Sequence, residues 1–325
     1  MERLIQAWRR FSMHPAVRPL NDQMVLETST YRERPIAGTS PGAPIMTTSA
    51  WLLEHQSNTY SQTGEDGIIA AILGRLPATD GWCVEVGAWD GRHLSNSRRL
   101  IEDAGYAAVM IEGSAERFAE LRANYAAYPK VYPINQFVGF HPDNNLDHLL
   151  STTPIPVDFD FLSVDIDGND YHVWQAMSTY RPKSVCIEFN PTIPTDVDFI
   201  QPADPAVNQG SSVSAMAALG KVKGYELVCV LPHNAFFVRA EYLTLFDIPD
   251  NSVASLRQDR RYLTYLFQGY DGTIFLRGNR SMVWHGRSLR ESKVQAFPRL
   301  LRKFPANYSK FEWLVFRVLA RLGRI

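Results

Sequence analysis

Val84-Glu85-Val86-Gly87-Ala88-Trp89-Asp90-Gly91 decides the fold. A short apolar strand, Trp82–Val86, runs into a tight glycine turn, and open α/β sheets bind ligands where such turns leave the carboxyl ends of strands. Outward from this turn, strand and helix patterns alternate. Strands are expected over 107–111, 130–134, 161–166 and 184–189. Helices are expected over 95–104, 115–125, 146–150, 171–178 and 213–223. Upstream, Ser61-Gln62-Thr63-Gly64-Glu65-Asp66 precedes an apolar run and reads as a helix start with acids in its first turn. Apolar strands alternating with helices imply a parallel sheet with right-handed crossovers. Segments 225–231 and 235–239 read as a closing antiparallel pair. The expected fold is α/β, a doubly wound Rossmann-like sheet over 60–245. An N-terminal arm or cover (1–59) precedes it, loose and turn-rich from Pro35 to Pro44. A C-terminal extension (246–325) ends in a helical tail.

The chain has 325 residues, with 33 Lys and Arg against 34 Asp and Glu, so its formal charge is −1. With 45% apolar residues this excludes a disordered or low-complexity chain, and the balance argues against a nucleic-acid partner. The average conceals a layout. Residues 80–200 carry 18 acids and 8 bases, whereas residues 287–325 carry 10 bases and 2 acids. Cys83, Cys186 and Cys229 are too few for a disulfide framework and fit a reducing compartment. No secretory signal and no membrane-length apolar run is visible, so the expected location is cytoplasmic.

The glycine turn constrains its ligand. A dinucleotide site needs G-x-G-x-x-G and a P-loop needs its Lys; both are missing here. Glu85 and Asp90 would repel a diphosphate but attract a cation. S-adenosylmethionine carries a sulfonium and an ammonium and has no phosphate. Glu85, Val86, Gly87, Ala88 and Gly91 are then the candidates for its methionine part. Glu112, at the end of the next strand, is the candidate for its ribose hydroxyls. The plain alternative is a structural turn.

A second cluster follows the fourth strand. Asp165, Asp167 and Asp170 crowd the segment Phe161-Leu162-Ser163-Val164-Asp165-Ile166-Asp167-Gly168-Asn169-Asp170. Strand alternation puts Asp165 and Asp167 on one side, and the neighbouring strand ends at Glu188 and Asn190. Repelling acids need a cation or a base nearby. Asp165, Asp167 and Glu188 form an all-oxygen set that suits Mg²⁺. Alternatively, the acids form a metal-free catalytic or positioning cluster, or a turn with helix-capping acids.

Together these segments resemble the FkbM-type class I S-adenosylmethionine-dependent methyltransferases, from about Tyr60 to Arg239. Glu85, Gly87, Ala88 and Gly91 match acid-x-G-A-x-x-G. Asp165, Asp167, Gly168 and Asp170 fill the later signature K-x-D-x-E-G-x-E, with Ser163 in place of its Lys. The segment Ile187-Glu188-Phe189-Asn190-Pro191 is similar too. The resemblance implies O-methyl transfer to a sugar or glycan hydroxyl of a surface polysaccharide or secondary metabolite. The loss of the Lys motivates a second reading, a binding module without catalysis. A dinucleotide oxidoreductase is the third.

Removing the acceptor proton needs a base, for which Asp165, Asp167 and His172 are the catalytic candidates, with His141 and His233 behind them. The long segment 192–212 reads as a loop overhanging the acceptor pocket. In the tail, Phe311, Leu314, Val315, Val318 and Leu322 share one helical face, opposite Lys310, Arg317, Arg321 and Arg324. Such a helix either packs on the main domain or a second subunit, giving a homo-oligomer, or lies peripherally on an anionic membrane.

Overall fold

The computed structural model describes residues 48–77 and 79–325. The expected loose arm lies almost wholly outside the described residues. The chain divides into two compact units, Ala43–Arg260 and, among the described residues, Arg261–Ile325.

The first unit is the expected doubly wound sheet. Strands β1 (Trp82–Val86), β2 (Ala107–Ile111), β3 (Val131–Ile134), β4 (Phe161–Val164), β5 (Ser184–Glu188), β6 (Tyr225–Val230) and β7 (Asn234–Arg239) join in the order β3-β2-β1-β4-β5-β7-β6. The first five are parallel, and β7 runs antiparallel to both β5 and β6. The chain winds one way from β1 to β3 and the other way from β4. The crevice between β1 and β4 is therefore the topological switch point, where ligands bind in such sheets.

Alternation along the strands divides the core into two layers. Val84, Val86, Ile111, Leu162 and Ile187 pack with Leu150, Trp174 and Met216 from helices α4 (Leu146–Leu150), α5 (Asp170–Ala176) and α6 (Val213–Val222). Cys83, Met110, Phe161 and Cys186 pack on the other face with Ile68, Ile72, Ile101 and Leu121. These last four come from α1 (Glu65–Leu73), α2 (Arg98–Glu102) and α3 (Ala115–Asn124). Ser114, Asn145 and Ser212 cap α3, α4 and α6 through side-chain oxygens, satisfying backbone N–H groups that a helix start leaves open. Residues beyond the strand pair also belong to this unit. Phe246 and the Leu256 of α7 (Val253–Leu256) are buried, and the Trp51 indole N–H donates to the Phe246 carbonyl at 2.8 Å.

Strand β4 ends at Val164, two residues before its expected limit. The Asp170 carboxylate accepts the N–H groups of Ile166 and Gly168, both at 2.9 Å, and Asp167 adopts φ +59°. A turn begins there, so strand alternation does not place Asp165 and Asp167.

The second unit contains hairpins that periodicity gave no sign of. These are β8 (Thr264–Gln268) with β9 (Ile274–Gly278), and β10 (Ser281–Met282) with β11 (Arg287–Ser288). It ends in the expected helix, α8 (Lys310–Arg321), started by a capping box between Ser309 and Glu312. No helix among the described residues is long and apolar enough to cross a membrane.

Candidate active site

The glycine turn is closed on itself. The N–H groups of Gly87 and Ala88 both donate to the Ile111 carbonyl at 3.0 Å, and that of Gly91 donates to the Ala88 carbonyl at 2.7 Å. The N–H of Trp89 donates to Glu112 Oε2 at 2.9 Å. A pyrophosphate needs such groups open, so this turn is unsuited to a dinucleotide. Gly87 requires its lack of a side chain twice over. Its φ is +81°, and a Cβ would lie 1.9 Å from the Asp165 carbonyl oxygen.

Several predicted cofactor residues build this turn rather than face a ligand. Glu85 is 6% exposed. Its carboxylate accepts the Ser95 and Ser97 hydroxyls at 2.6 and 2.5 Å and the Asn96 N–H at 2.8 Å. It therefore anchors the approach to α2 and leaves the methionine ammonium without this partner. Desolvation raises its pKa, against the pull of those donors. Val86 points into the core, and its carbonyl accepts the Asp165 N–H at 3.2 Å. Ala88 is buried, and Gly91 sits under the Tyr125 ring, whose hydroxyl donates to the Gly91 carbonyl at 2.8 Å. Gly87 is the member of the set exposed at the crevice.

Glu112 stands at the crevice end of β2 and is 3% exposed. Besides Trp89 it accepts the Ser114 N–H at 2.6 Å, so it clasps two loops together. Beside it, Phe137 lies over Gly113 and is 64% exposed. Sequence reading missed Phe137; an aromatic directly after the polar pair Asn135-Gln136 was its only signal.

The acids of the second cluster do converge. One carboxylate oxygen from each of Asp165, Asp167 and Glu188 lies within 4.8 Å of the others, with both aspartates exposed and Glu188 half-buried. Desolvation at the crevice floor, then the charges of Asp167 and Asp170, raise Asp165 well above the usual carboxylate range. Glu188 rises well above it too, by desolvation and then by Asp165, Asp167 and Asp170. The Asp165 and Glu188 carboxyls lie close together, so ionising one opposes ionising the other. Asp170 is buried and pushed up to about 7 by desolvation, but its oxygens serve the 166–168 turn. Ser163, in place of the Lys, is buried and accepts a hydrogen bond from the Asn96 side chain at 3.0 Å.

His172 turns away from the acids. Its Nε2–H donates to the Gln201 carbonyl at 2.8 Å, and its ring packs on Phe140. Its place is beneath the 192–212 loop, not beside a reacting hydroxyl. His141 is exposed beside Phe140, and His233 lends its carbonyl to the Phe189 N–H at 2.9 Å. The loop itself is ordered around Gln201, which is 1% exposed and which sequence reading missed. Gln201 accepts the N–H groups of Gln209 and Gly210 at 2.9 and 2.8 Å and donates to the Val207 carbonyl at 2.9 Å. Asn208 then donates to the Asp167 carbonyl at 3.0 Å, which fixes the loop to the acidic turn.

The residues present fit a cationic cofactor with a ribose and a flat base. Carboxylates face the crevice, Glu112 offers a carboxylate, and Phe137 offers an open aromatic face. The three clustered carboxylates are also the right donor type for Mg²⁺.

No family model matches the chain, and no curated protein is similar to it. Among solved structures it is similar to the O-methyltransferase from Bacillus cereus in complex with SAH. The identity is 15% over 61% of this chain and 93% of that one, with a TM-score of 0.39. It is similar to the CMeT domain of the citrinin polyketide synthase at 13% identity, over 56% of this chain, with a TM-score of 0.38; it spans 54% of that domain. It is also similar to the precorrin-6y C5,15-methyltransferase of Geobacter metallireducens, at 13% identity over 56% of this chain and 90% of that one, with a TM-score of 0.32. Likenesses this low carry no weight for activity. The fold follows from the strand order and the antiparallel β7.

Proposed function

We propose that this protein is an S-adenosylmethionine-dependent methyltransferase acting on the oxygen of a sugar or glycan hydroxyl. The observation that carries the reading is the turn at the switch point. Its N–H groups are consumed by Ile111, Ala88 and Glu112, and carboxylates surround it, which suits a cation without phosphate.

S-adenosylmethionine, when bound, supplies a methyl group on a positively charged sulfur. Glu112 accepts hydrogen bonds from the ribose hydroxyls, and the Phe137 face receives the adenine. The Asp165–Glu188 pair takes the acceptor's proton, because a carboxyl raised above its usual range is a stronger base than an ordinary one. The loop ordered by Gln201 walls the acceptor side. Transfer is an in-line displacement, so acceleration comes from alignment and charge stabilisation. As an exclusive alternative to that base, Mg²⁺ held by Asp165, Asp167 and Glu188 would orient the acceptor oxygen and lower its pKa. Chelation by EDTA then lowers activity, and full activity in EDTA removes the metal from the reading.

Calorimetric titration with S-adenosylhomocysteine and with NAD tests the cofactor. Labelled methyl transfer to a panel of glycans and small hydroxyl compounds then tests the acceptor. Binding of NAD with no binding of S-adenosylhomocysteine would sink the proposal.

A further inference from the structure

Residues 261–325 differ in kind from the unit that holds the crevice. They carry 13 Lys and Arg against 3 Asp and Glu, a balance of +10, whereas residues 43–260 carry 14 against 27, a balance of −13. The three acids are already engaged. Glu291 pairs with Arg277 at 2.7 Å, Glu312 pairs with Lys303 at 2.5 Å, and Asp271 accepts the Thr273 N–H at 3.0 Å.

The same 65 residues keep little apolar surface inside. Leu263, Leu276 and Leu301 are their buried apolar side chains. Of the 19 large apolar side chains exposed among the described residues, 12 lie here. Nine of these 12 fall in two groups. Tyr265, Leu266 and Phe267 stand exposed along β8, with Tyr270 94% exposed at the hairpin tip. Phe311, Leu314, Val318 and Leu322 follow at the spacing of one helical face of α8, with Trp313 beside them, and Lys310, Arg317, Arg321 and Arg324 are interleaved.

We propose that this unit is a docking surface for an anionic lipid bilayer. Exposed aliphatic and aromatic side chains interleaved with arginines suit the headgroup boundary. There the apolar groups enter the acyl region and the long basic side chains reach up to phosphates. Each base near such a surface strengthens partition by about fivefold. Charge selects this occupant over the same unit of a second copy, since two units at +10 repel. The aliphatic run Leu314, Val318 and Leu322 selects it over a nucleic acid, whose backbone and bases call for polar and stacking contacts. An anionic membrane also repels the −13 unit, so the basic unit is the part of the chain drawn to it.

The test is co-sedimentation of the full chain with vesicles of phosphatidylcholine alone, or with about one-third phosphatidylglycerol. The expected result is at least about tenfold stronger partition onto the anionic vesicles, lost at high salt. Leu314→Ser with Val318→Ser and Leu322→Ser should weaken it by about tenfold or more, as should Arg317→Glu with Arg321→Glu. These side chains are exposed, so the variants should melt like the parent chain. A fluorescence change of Trp313 on the anionic vesicles, absent in Trp313→Phe, reads insertion directly. Equal partition onto both vesicle types, or wild-type partition by both variants, overturns the proposal. So does retention of a nucleic-acid duplex with none of the vesicles, or variants that alter only self-association.

Discussion

The Trp89 N–H donates to the Glu112 carboxylate at 2.9 Å, which ties the turn after β1 to the end of β2. The clasp is one task of Glu112, and the proposed ribose contact would be a second. Glu112→Ala should weaken binding of S-adenosylhomocysteine by about 1–3 kcal/mol, the scale of a lost charged hydrogen bond. It should also lower stability by about 1 kcal/mol, because the N–H groups of Trp89 and Ser114 lose their acceptor. Calorimetry and thermal melting separate the two effects. Lower stability with an unchanged dissociation constant would leave Glu112 as a clasp alone.

Glu85 should behave in the opposite way. Two hydroxyls and a backbone N–H converge on it inside the protein. Glu85→Ala orphans all three and should cost about 2–4 kcal/mol of stability. Affinity for S-adenosylhomocysteine in the surviving folded fraction should stay within a few-fold. A stable Glu85→Ala protein that fails to bind would return this carboxylate to the ligand.

The two glutamates mark what a sequence can reveal here. Both end or nearly end a strand beside a glycine turn, and pattern alone gave both a ligand. Periodicity located every strand of the seven-stranded sheet to within two residues at each end, because buried strands must be apolar runs. Where a carboxylate points depends on partners distant in sequence. Ser95 and Ser97 claim Glu85, and no spacing rule announces that. His172 is similar, since its neighbour Gln201 lies 29 residues away in a loop without periodicity. The convergence of Asp165, Asp167 and Glu188 was legible from adjacent parallel strands, although a turn held by Asp170 delivers it instead of strand alternation. The hairpins of residues 261–325 escaped because their strands are mostly exposed and lack the buried pattern.

The Asp165–Glu188 pair should carry proton removal. Asp165→Asn keeps the shape of the side chain and removes one carboxylate of the pair. Its turnover should fall by about 100-fold or more, in the range of a lost general base, with binding of S-adenosylhomocysteine nearly unchanged. Single-turnover methyl transfer measures this. Unaltered turnover would move the base elsewhere.

At the opposite, amino end of the strands, Lys183 bridges Asp80 at 2.6 Å and the fully buried Asp160 at 2.8 Å. Burial draws its pKa down, but the bonds to both aspartates outweigh that and raise it. Asp160 also accepts the N–H groups of Asp80 and Gly81, so it ties the entry to β1 to the entry to β4. Lys183→Met leaves Asp160 buried without its cation and should cost about 3–5 kcal/mol. Asp80→Asn, at the more exposed end, should cost about 1 kcal/mol or less. Denaturant melts of both variants check the ranking, and equal losses would contradict it.

Asp147 gives the stability its acid dependence near α4. Burial acts to raise its pKa, but the N–H groups of Ser178, Tyr180 and Thr179 and the Ser178 hydroxyl overcome that and lower it. A carboxylate with a lowered folded-state pKa stabilises above its unfolded value, about 3.9. That contribution disappears as pH falls through the folded value. Asp147→Asn should therefore be less stable than the parent by about 1–2 kcal/mol near neutrality, after discounting for partial exposure. The gap should close progressively as pH falls from about 5 to about 3. Urea melts of both proteins across that range read it, and a gap that stays constant with pH would mean that the carboxylate's charge contributes nothing to the clasp between α4 and the exit of α5.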